Sequence, residues 1–199
     1  MIYPAYIDTI QSITLLDPLS EFLGVFEDGE VTFTYLDIVK NAGHSCPTVA
    51  GAYMMALYGL KRLYKESIPV RGEIVVSFST ELSEGVTGVV ANVMTHITGA
   101  TQNSGFKGIQ GNFSRVGLMH FSEDFKADVK LTRVDTQESI LVTYDATLVP
   151  PEKEQMMLMR KIIQKNATPD EKALFKEMWQ RRVEKILSSG NLVISITKC

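Results

Sequence analysis

Hydrophobic positions along the chain recur with two spacings, one typical of helices and the other typical of strands. Helical spacing predicts helices over residues 6–15, 19–23, 35–41, 47–65, 86–97, 153–164 and 169–187. Alternation and runs of β-branched residues predict strands over residues 31–33, 72–79, 116–121, 127–133, 139–146 and 191–197. Strand runs and segregated helices in one chain indicate an α+β fold.

The helix that begins at Pro47 is predicted to be buried at the centre of the fold. Proline suits the first helical position, where its missing N–H group costs nothing. Apolar residues cover nearly the whole circumference from Val49 to Leu63, as is typical of a buried helix. Small residues such as Gly51 and Gly59 are predicted to let another backbone approach closely. The expected architecture is a mostly antiparallel sheet packed against this helix, with further helices at the C-terminus.

The pair Pro150-Pro151 is predicted to divide the chain. Residues 1–150 are expected to form an α+β core that includes the N-terminal helices. Residues 151–199 are expected to add a helical extension and a final strand, which pack on the core. The extension carries an adaptable apolar set, predicted to cover the sheet or, alternatively, to form a dimer interface, which consists of Met156, Met157, Met159, Met178 and Trp179.

Composition and charge exclude several classes of partner. The chain has 199 residues, 45% of them hydrophobic, which is enough apolar material for a sizeable core. A net charge of −3 predicts binding neither to nucleic acid nor to an anionic membrane. No run reaches the ~18 consecutive apolar residues of a spanning helix, and the first residues lack the features of a secretory signal. The two cysteines, Cys46 and Cys199, make a poor disulfide framework, so a reduced cytoplasmic protein is expected.

The chemistry of the chain is expected to centre on His44 and Cys46, which flank one residue just before the central helix. An imidazole and a thiolate at this spacing can converge on one ion, and both are ordinary zinc ligands. The N-terminus of a helix also favours a thiolate, because its N–H groups are unpaired and its dipole end is positive. The alternative is structural, with Cys46 as a weak helix cap and His44 only hydrogen-bonded.

Two motifs resemble those of the FmdE-like family, which is named for one component of the enzyme formylmethanofuran dehydrogenase. Residues 42–47 are similar to the family's Gly-His-x-Cys-Pro signature, and residues 50–53 to the helix that follows it. Residues 97–101 and 111–113 are similar to its Thr-Gly-x-Thr segment and its glycine-asparagine loop. The similarity covers about residues 33–148.

This resemblance implies an α+β core, a metal ion bound through His44 and Cys46, and a homodimer. Zinc is the expected ion, with nickel or iron as alternatives. Family members usually have another cysteine ahead of the Thr-Gly-x-Thr segment, where this chain has only Glu81 and Glu84 as ligand types. Either glutamate, or a water, could replace that cysteine; alternatively both glutamates only complement the helix dipole. Many members also carry a C-terminal zinc-finger module, which is replaced here by helices.

The loop from Thr101 to Phe113 is the second candidate ligand-binding element. It contains three glycines but lacks the ending of a phosphate-binding P-loop. Lys107, Gln110 and Asn112 are predicted to face a small-molecule ligand at the His44/Cys46 site. The alternative is a turn-rich loop without a ligand.

Three functions follow from these residues. The first is a metal-dependent enzyme or small-molecule-binding protein, with His44 and Cys46 as ligands and an open coordination position. The second is a metal-free thiol enzyme, with Cys46 as nucleophile and His44 as base. The third is a non-catalytic metal carrier or accessory protein. The other histidines, His96 and His120, are expected to be interior or surface residues.

Overall fold

A computed structural model describes residues 2–199, which fold into seven helices and two sheets. The helices are α1 (Pro18–Phe22), α2 (Tyr35–Ala42), α3 (Pro47–Tyr64), α4 (Thr87–Thr98), α5 (Lys153–Ile163), α6 (Pro169–Ser188) and α7 (Gly190–Val193). The strands are β1 (Ile13–Leu16), β2 (Glu30–Phe33), β3 (Ile74–Phe78), β4 (Met119–His120), β5 (Val129–Arg133), β6 (Ser139–Tyr144) and β7 (Ile194–Lys198). Within residues 2–199, no helix combines the length and the apolar character needed to cross a membrane.

The main sheet has five strands in the order β4-β3-β5-β6-β7. All neighbouring strands are antiparallel except β3 and β4, which are parallel. The predicted α+β class, with a mostly antiparallel sheet and C-terminal helices, is therefore confirmed. The last strand, β7, pairs with β6 along five residue positions, so the C-terminal segment completes the sheet.

Helix α3 lies between the sheet and the other helices. It contacts β5, β6 and β7 on one side, and α2, α4 and α6 on the others. All but a few of its residues are buried, as its continuous apolar sequence predicts. At Gly51 and Gly59 the close neighbours are the side chains of Tyr144 and Leu131, so the predicted approach of another backbone is wrong at these positions.

The N-terminal segment differs from its prediction. Residues 6–15 do not form one helix: Ala5–Thr9 is a 3₁₀ turn, and β1 follows it. Strand β1 pairs with β2 in a separate two-stranded sheet, with Ile13 opposite Phe33. A short apolar run is compatible with the spacing of a helix or of a strand, and here pairing with β2 makes it a strand. The prediction of a helix over these residues is therefore wrong.

The other strand predictions differ in extent. The strand predicted over residues 116–121 is reduced to β4, which has two residues. The final strand begins at Ile194, because the four residues before it form the short helix α7. In the C-terminal segment, α5 packs on α6 and α6 packs on α3.

A buried charged cluster joins the first helix to the far end of α4. Asp17 caps α1 and accepts hydrogen bonds from Arg71 at 2.9 Å and from Arg115 at 2.6 Å. Arg71 also donates to the backbone carbonyls of His96 and Ile97 at the C-terminal end of α4. Arginine donors therefore satisfy carbonyl groups that the end of the helix leaves unpaired.

Candidate functional site

The candidate site lies in the short connection between α2 and α3. Helix α2 ends at Ala42 and is capped by Gly43, whose φ of 75° is the left-handed conformation that glycine adopts without steric cost. Three residues later, Cys46 caps α3 and Pro47 occupies the first helical position. The two helices therefore hold His44 and Cys46 on one short loop.

The ring of His44 is exposed, and its Nδ1 atom lies 3.0 Å from the backbone carbonyl oxygen of Ala42. A carbonyl oxygen only accepts, so this contact places the proton of the neutral ring on Nδ1. Nε2 is then unprotonated and free to bind a metal ion. A backbone carbonyl bound to the opposite ring nitrogen is the usual support of a metal-binding histidine.

The thiol of Cys46 is half-buried, and its Sγ accepts a hydrogen bond from the backbone N–H of Val49 at 3.4 Å. It therefore points at the N-terminal end of α3, where the helix dipole favours negative charge. A sulfur ligand beside an imidazole nitrogen suits zinc and similar borderline ions. Both ligand types fit such an ion, and together they would provide two of its coordination positions.

Three side chains from α2, β6 and α6 hold this loop in place. The hydroxyl of Tyr35 and that of Ser45 are 2.9 Å apart, and Tyr144 donates to the Pro47 carbonyl at 2.9 Å. The indole Nε1 of Trp179 donates to the Ser45 carbonyl at 3.0 Å. Burial raises the pKa of Tyr35 far above its usual value and that of Tyr144 to about 12. Both phenols are therefore neutral at physiological pH.

Sequence reasoning did not identify Tyr35 and Tyr144 as parts of the site. Tyr35 lies 10 positions from Ser45, and Tyr144 lies 97 positions from Pro47. No local pattern marks either tyrosine as a partner of the motif, because each contact depends on how the elements pack.

A cavity of about 300 Å³ opens between the N-terminal ends of α3 and α4. Thr48, two residues after Cys46, lines it together with Thr87 and Tyr144. Apolar residues make up about half of its lining, and the polar lining residues are hydroxyl-bearing ones and Asp128. The remaining lining residues are Met55, Phe78, Ser79, Thr80, Val86, Val90, Val129 and Ala146. This volume suits a small organic molecule.

Glu81 and Glu84 lie in the turn just before α4, and both are exposed. They precede α4, and the start of α4 lies across the cavity from the start of α3. In the part of the chain that the structure describes, however, no three His, Cys, Asp or Glu residues form a group that could hold a metal ion. A glutamate as third ligand therefore stays a prediction.

The glycine-containing loop lies at the other end of α4. The backbone N–H of Gly72, two residues before β3, donates to the Thr98 carbonyl at 2.9 Å, so the start of β3 lies beside the C-terminal end of α4. The glycine-containing loop follows this end of α4. The end of β3, about 17 Å away for a strand of five residues, borders the cavity beside α3. Within one chain, Lys107, Gln110 and Asn112 therefore lie away from the His44/Cys46 site. Their predicted contact with a ligand there would need a second copy of the chain.

The two remaining histidines lie outside the motif, as expected. His96 is half-buried in α4, with its ring centroid 5.3 Å from that of Phe33. Burial and the charge of Arg71 lower its pKa, although Asp37 acts in the opposite direction. His120 belongs to β4.

A family model described as "FmdE, Molybdenum formylmethanofuran dehydrogenase operon" matches residues 42–193, which is more than half of the chain. The match begins just before the Gly-His-x-Cys-Pro motif and continues through α5 and α6, beyond the region on which the sequence resemblance rests. Comparison with curated proteins gave no match.

Proposed function

This chain belongs to the FmdE family, and from that premise we propose that it binds a zinc-type metal ion through His44 and Cys46. Nickel and iron are the alternative ions. The proposed ion keeps an open position for a small-molecule ligand or substrate. Because the family description refers to the operon of a molybdenum formylmethanofuran dehydrogenase, we propose a role connected with that enzyme.

The observation that carries this proposal is the contact between Nδ1 of His44 and the Ala42 carbonyl at 3.0 Å. It leaves Nε2 free to bind the ion and orients the ring, as a metal ligand requires. Cys46 supplies the second ligand two positions later, at the end of a helix that stabilises a thiolate. We place the protein in the reducing cytoplasm, because Cys46 must remain a free thiol.

The other coordination positions belong to water, to the ligand, or to a third residue. Glu81 or Glu84 is the proposed third residue from this chain, and it would have to approach the motif from the start of α4. When bound, such an ion would polarise a carbonyl group or lower the pKa of a water. The cavity beside Thr48 would hold the organic part of the ligand, with its hydroxyl groups as hydrogen-bonding partners.

A metal-free thiol enzyme is less well supported. The base of such an enzyme bonds to the thiol, and only Nε2 of His44 is available for that, because Nδ1 contacts the Ala42 carbonyl. The structure shows no hydrogen bond between His44 and Cys46 within residues 2–199. A carrier or accessory role has one observation in its favour, which is the exposure of His44, since a carrier must release its ion to a partner.

Metal analysis of the untagged protein tests the proposal. The wild type is expected to retain close to one ion per chain after dialysis, and His44→Ala and Cys46→Ser are expected to lose most of it, because alanine provides no ligand and a hydroxyl binds far more weakly than a thiolate. His120→Ala serves as the control and should keep the ion. Full occupancy in both motif variants would contradict the metal site. Activity screening of the loaded protein then separates an enzyme from a carrier.

We also propose a homodimer, which would let Lys107, Gln110 and Asn112 of one copy approach the motif of another. Closed twofold dimers are the commonest soluble oligomers. Light scattering at micromolar concentration should give twice the mass of one chain. A monomer would refute the dimer and, with it, the ligand-binding role of these three residues.

A further inference from the structure

A second, larger groove borders the candidate motif on its other side. It has a volume of about 570 Å³ and lies between the N-terminal segment and α6. Ser45, which separates His44 from Cys46, forms part of its wall. Eight of its eleven lining residues are apolar or aromatic, and they include Tyr3, Ile7, Val39, Met159, Phe175 and Trp179. The groove is therefore wide enough and apolar enough for an organic molecule with a ring or chain.

Two aromatic side chains of α6 give this groove a defined wall. The ring centroids of Phe175 and Trp179 are 5.6 Å apart, with an angle of 44° between the ring planes. The indole N–H of Trp179 is already bonded to the Ser45 carbonyl, so the ring is held in position and its polar atom is satisfied. What the indole offers to a ligand is apolar surface.

The polar groups that line the groove are mainly donors. Lys176 is the only charged residue in the lining, and it forms no ion pair with a carboxylate among residues 2–199. Gln180 accepts a hydrogen bond from Tyr6 through its Oε1 atom at 2.7 Å, which leaves its NH₂ group as a donor. Asp8 accepts from Tyr3 on the N-terminal side, so an anion is expected at the α6 side.

We propose that this groove binds an organic anion with an aromatic or other apolar body. The body lies between the α6 aromatics and the N-terminal segment, and its carboxylate or sulfonate faces Lys176 and Gln180. This site is separate from the cavity beside Thr48 and goes beyond the proposed metal function, because binding here needs no metal ion. Its contact with Ser45 places the bound molecule directly against the motif.

Trp179 makes the proposal measurable, because it is the only tryptophan in the chain. The metal-free protein is titrated with 1-naphthalenesulfonate, and both tryptophan fluorescence and calorimetry are recorded. A saturable change in fluorescence with one site per chain is expected. Phe175→Ala should weaken binding about tenfold, because aromatic contact and apolar area are lost. Lys176→Gln should weaken it about two- to fivefold, as expected for an exposed ion pair.

Matched controls distinguish binding in this groove from binding at the metal site and from nonspecific hydrophobic binding. Lys172→Gln removes the same charge elsewhere on α6 and should leave the affinity unchanged. Cys46→Ser should bind the sulfonate like the wild type, even if it loses the metal. The neutral probe 1-naphthalenemethanol should bind the wild type and Lys176→Gln equally. Equal sulfonate affinity in the wild type, Phe175→Ala and Lys176→Gln would overturn the proposal. So would a fluorescence change on raising protein concentration without probe, since a second copy would then occupy the groove.

Discussion

The ring of Tyr144 occupies the space beside Gly51 on the central helix, so that a Cβ atom at Gly51 would overlap the Cε1 carbon of Tyr144. Tyr144 ends strand β6, and its hydroxyl group donates to the Pro47 carbonyl at the start of the same helix. One side chain thus joins the sheet both to the second turn of α3 and to the residue after Cys46. The missing side chain at Gly51 is what allows this contact.

Gly51→Ala is therefore expected to destabilise the protein by about 1–3 kcal/mol, since the added methyl group overpacks the core. Urea unfolding followed by circular dichroism measures the loss. In a Tyr144→Ala background the same substitution should instead stabilise by up to about 1 kcal/mol, because alanine favours helix over glycine. An equal effect in both backgrounds would show that Tyr144 is not the cause.

Asp17→Asn should destabilise the protein by about 3–5 kcal/mol, because it leaves the buried guanidinium group of Arg115 and the partly buried one of Arg71 without their counter-charge. Burial alone would raise the pKa of Asp17, but Arg71 and Arg115 bring it below its usual value of 3.8. The unfolded state therefore binds this proton more readily than the folded state. The stability that Asp17 contributes is present above that usual value and is lost as the pH falls through the folded pKa.

The gap in unfolding free energy between wild type and Asp17→Asn should accordingly narrow below about pH 4. Urea titrations at neutral and acidic pH provide the comparison. Asp135→Asn breaks a pair with Arg133 on the surface and should have little effect at either pH. If the difference in unfolding free energy between the wild type and Asp17→Asn does not depend on pH, the charge of Asp17 is not its cause.

His96 is expected to make stability depend on pH in the mildly acidic range. Burial, reinforced by the charge of Arg71, lowers the pKa of His96 below its usual 6.5. The unfolded state then binds more protons just below that value, so the free energy of unfolding falls as the pH drops through it and is constant above it. His96→Phe keeps an aromatic ring near Phe33 and removes the titration. Its unfolding free energy should lose this acid-dependent decrease; an unchanged profile would rule out His96.

Trp179→Phe should weaken the proposed metal site about 10- to 100-fold, the usual effect of losing a group that orients a metal-binding loop. The change keeps a ring but removes the hydrogen bond to the Ser45 carbonyl. Competition with a chromogenic chelator measures the affinity. Tyr53→Phe is the matched control, because it removes buried hydrogen bonds to the carbonyls of Gln11 and Phe33. Tyr53→Phe should lower stability without changing the affinity for the metal ion. Equal metal affinity in the wild type, Trp179→Phe and Tyr53→Phe would show that Trp179 does not position the site.

Much of the fold could be predicted from local sequence. The central helix, its proline start and the helix predicted from residue 169 depend on residues within a few turns of one another, and the structure has them where predicted. The fold class follows from the order of such elements. The motif that begins at Gly43 was likewise recognisable as a contiguous segment, and the family match includes it.

Tertiary contacts decided the rest. Residues 13–16 carry an apolar run that fits either period, and only pairing with β2 makes them a strand. The loop after α4 could be predicted to be irregular, but its position at the end of the helix away from Cys46 follows from the direction in which α4 runs along β3. The groove beside Ser45 needs Trp179, which is 134 positions away. Sequence alone determined which local elements and donor atoms exist, because those depend on near neighbours. Which of these elements and atoms come into contact depends on packing between segments far apart in sequence, so it is determined only in the folded chain.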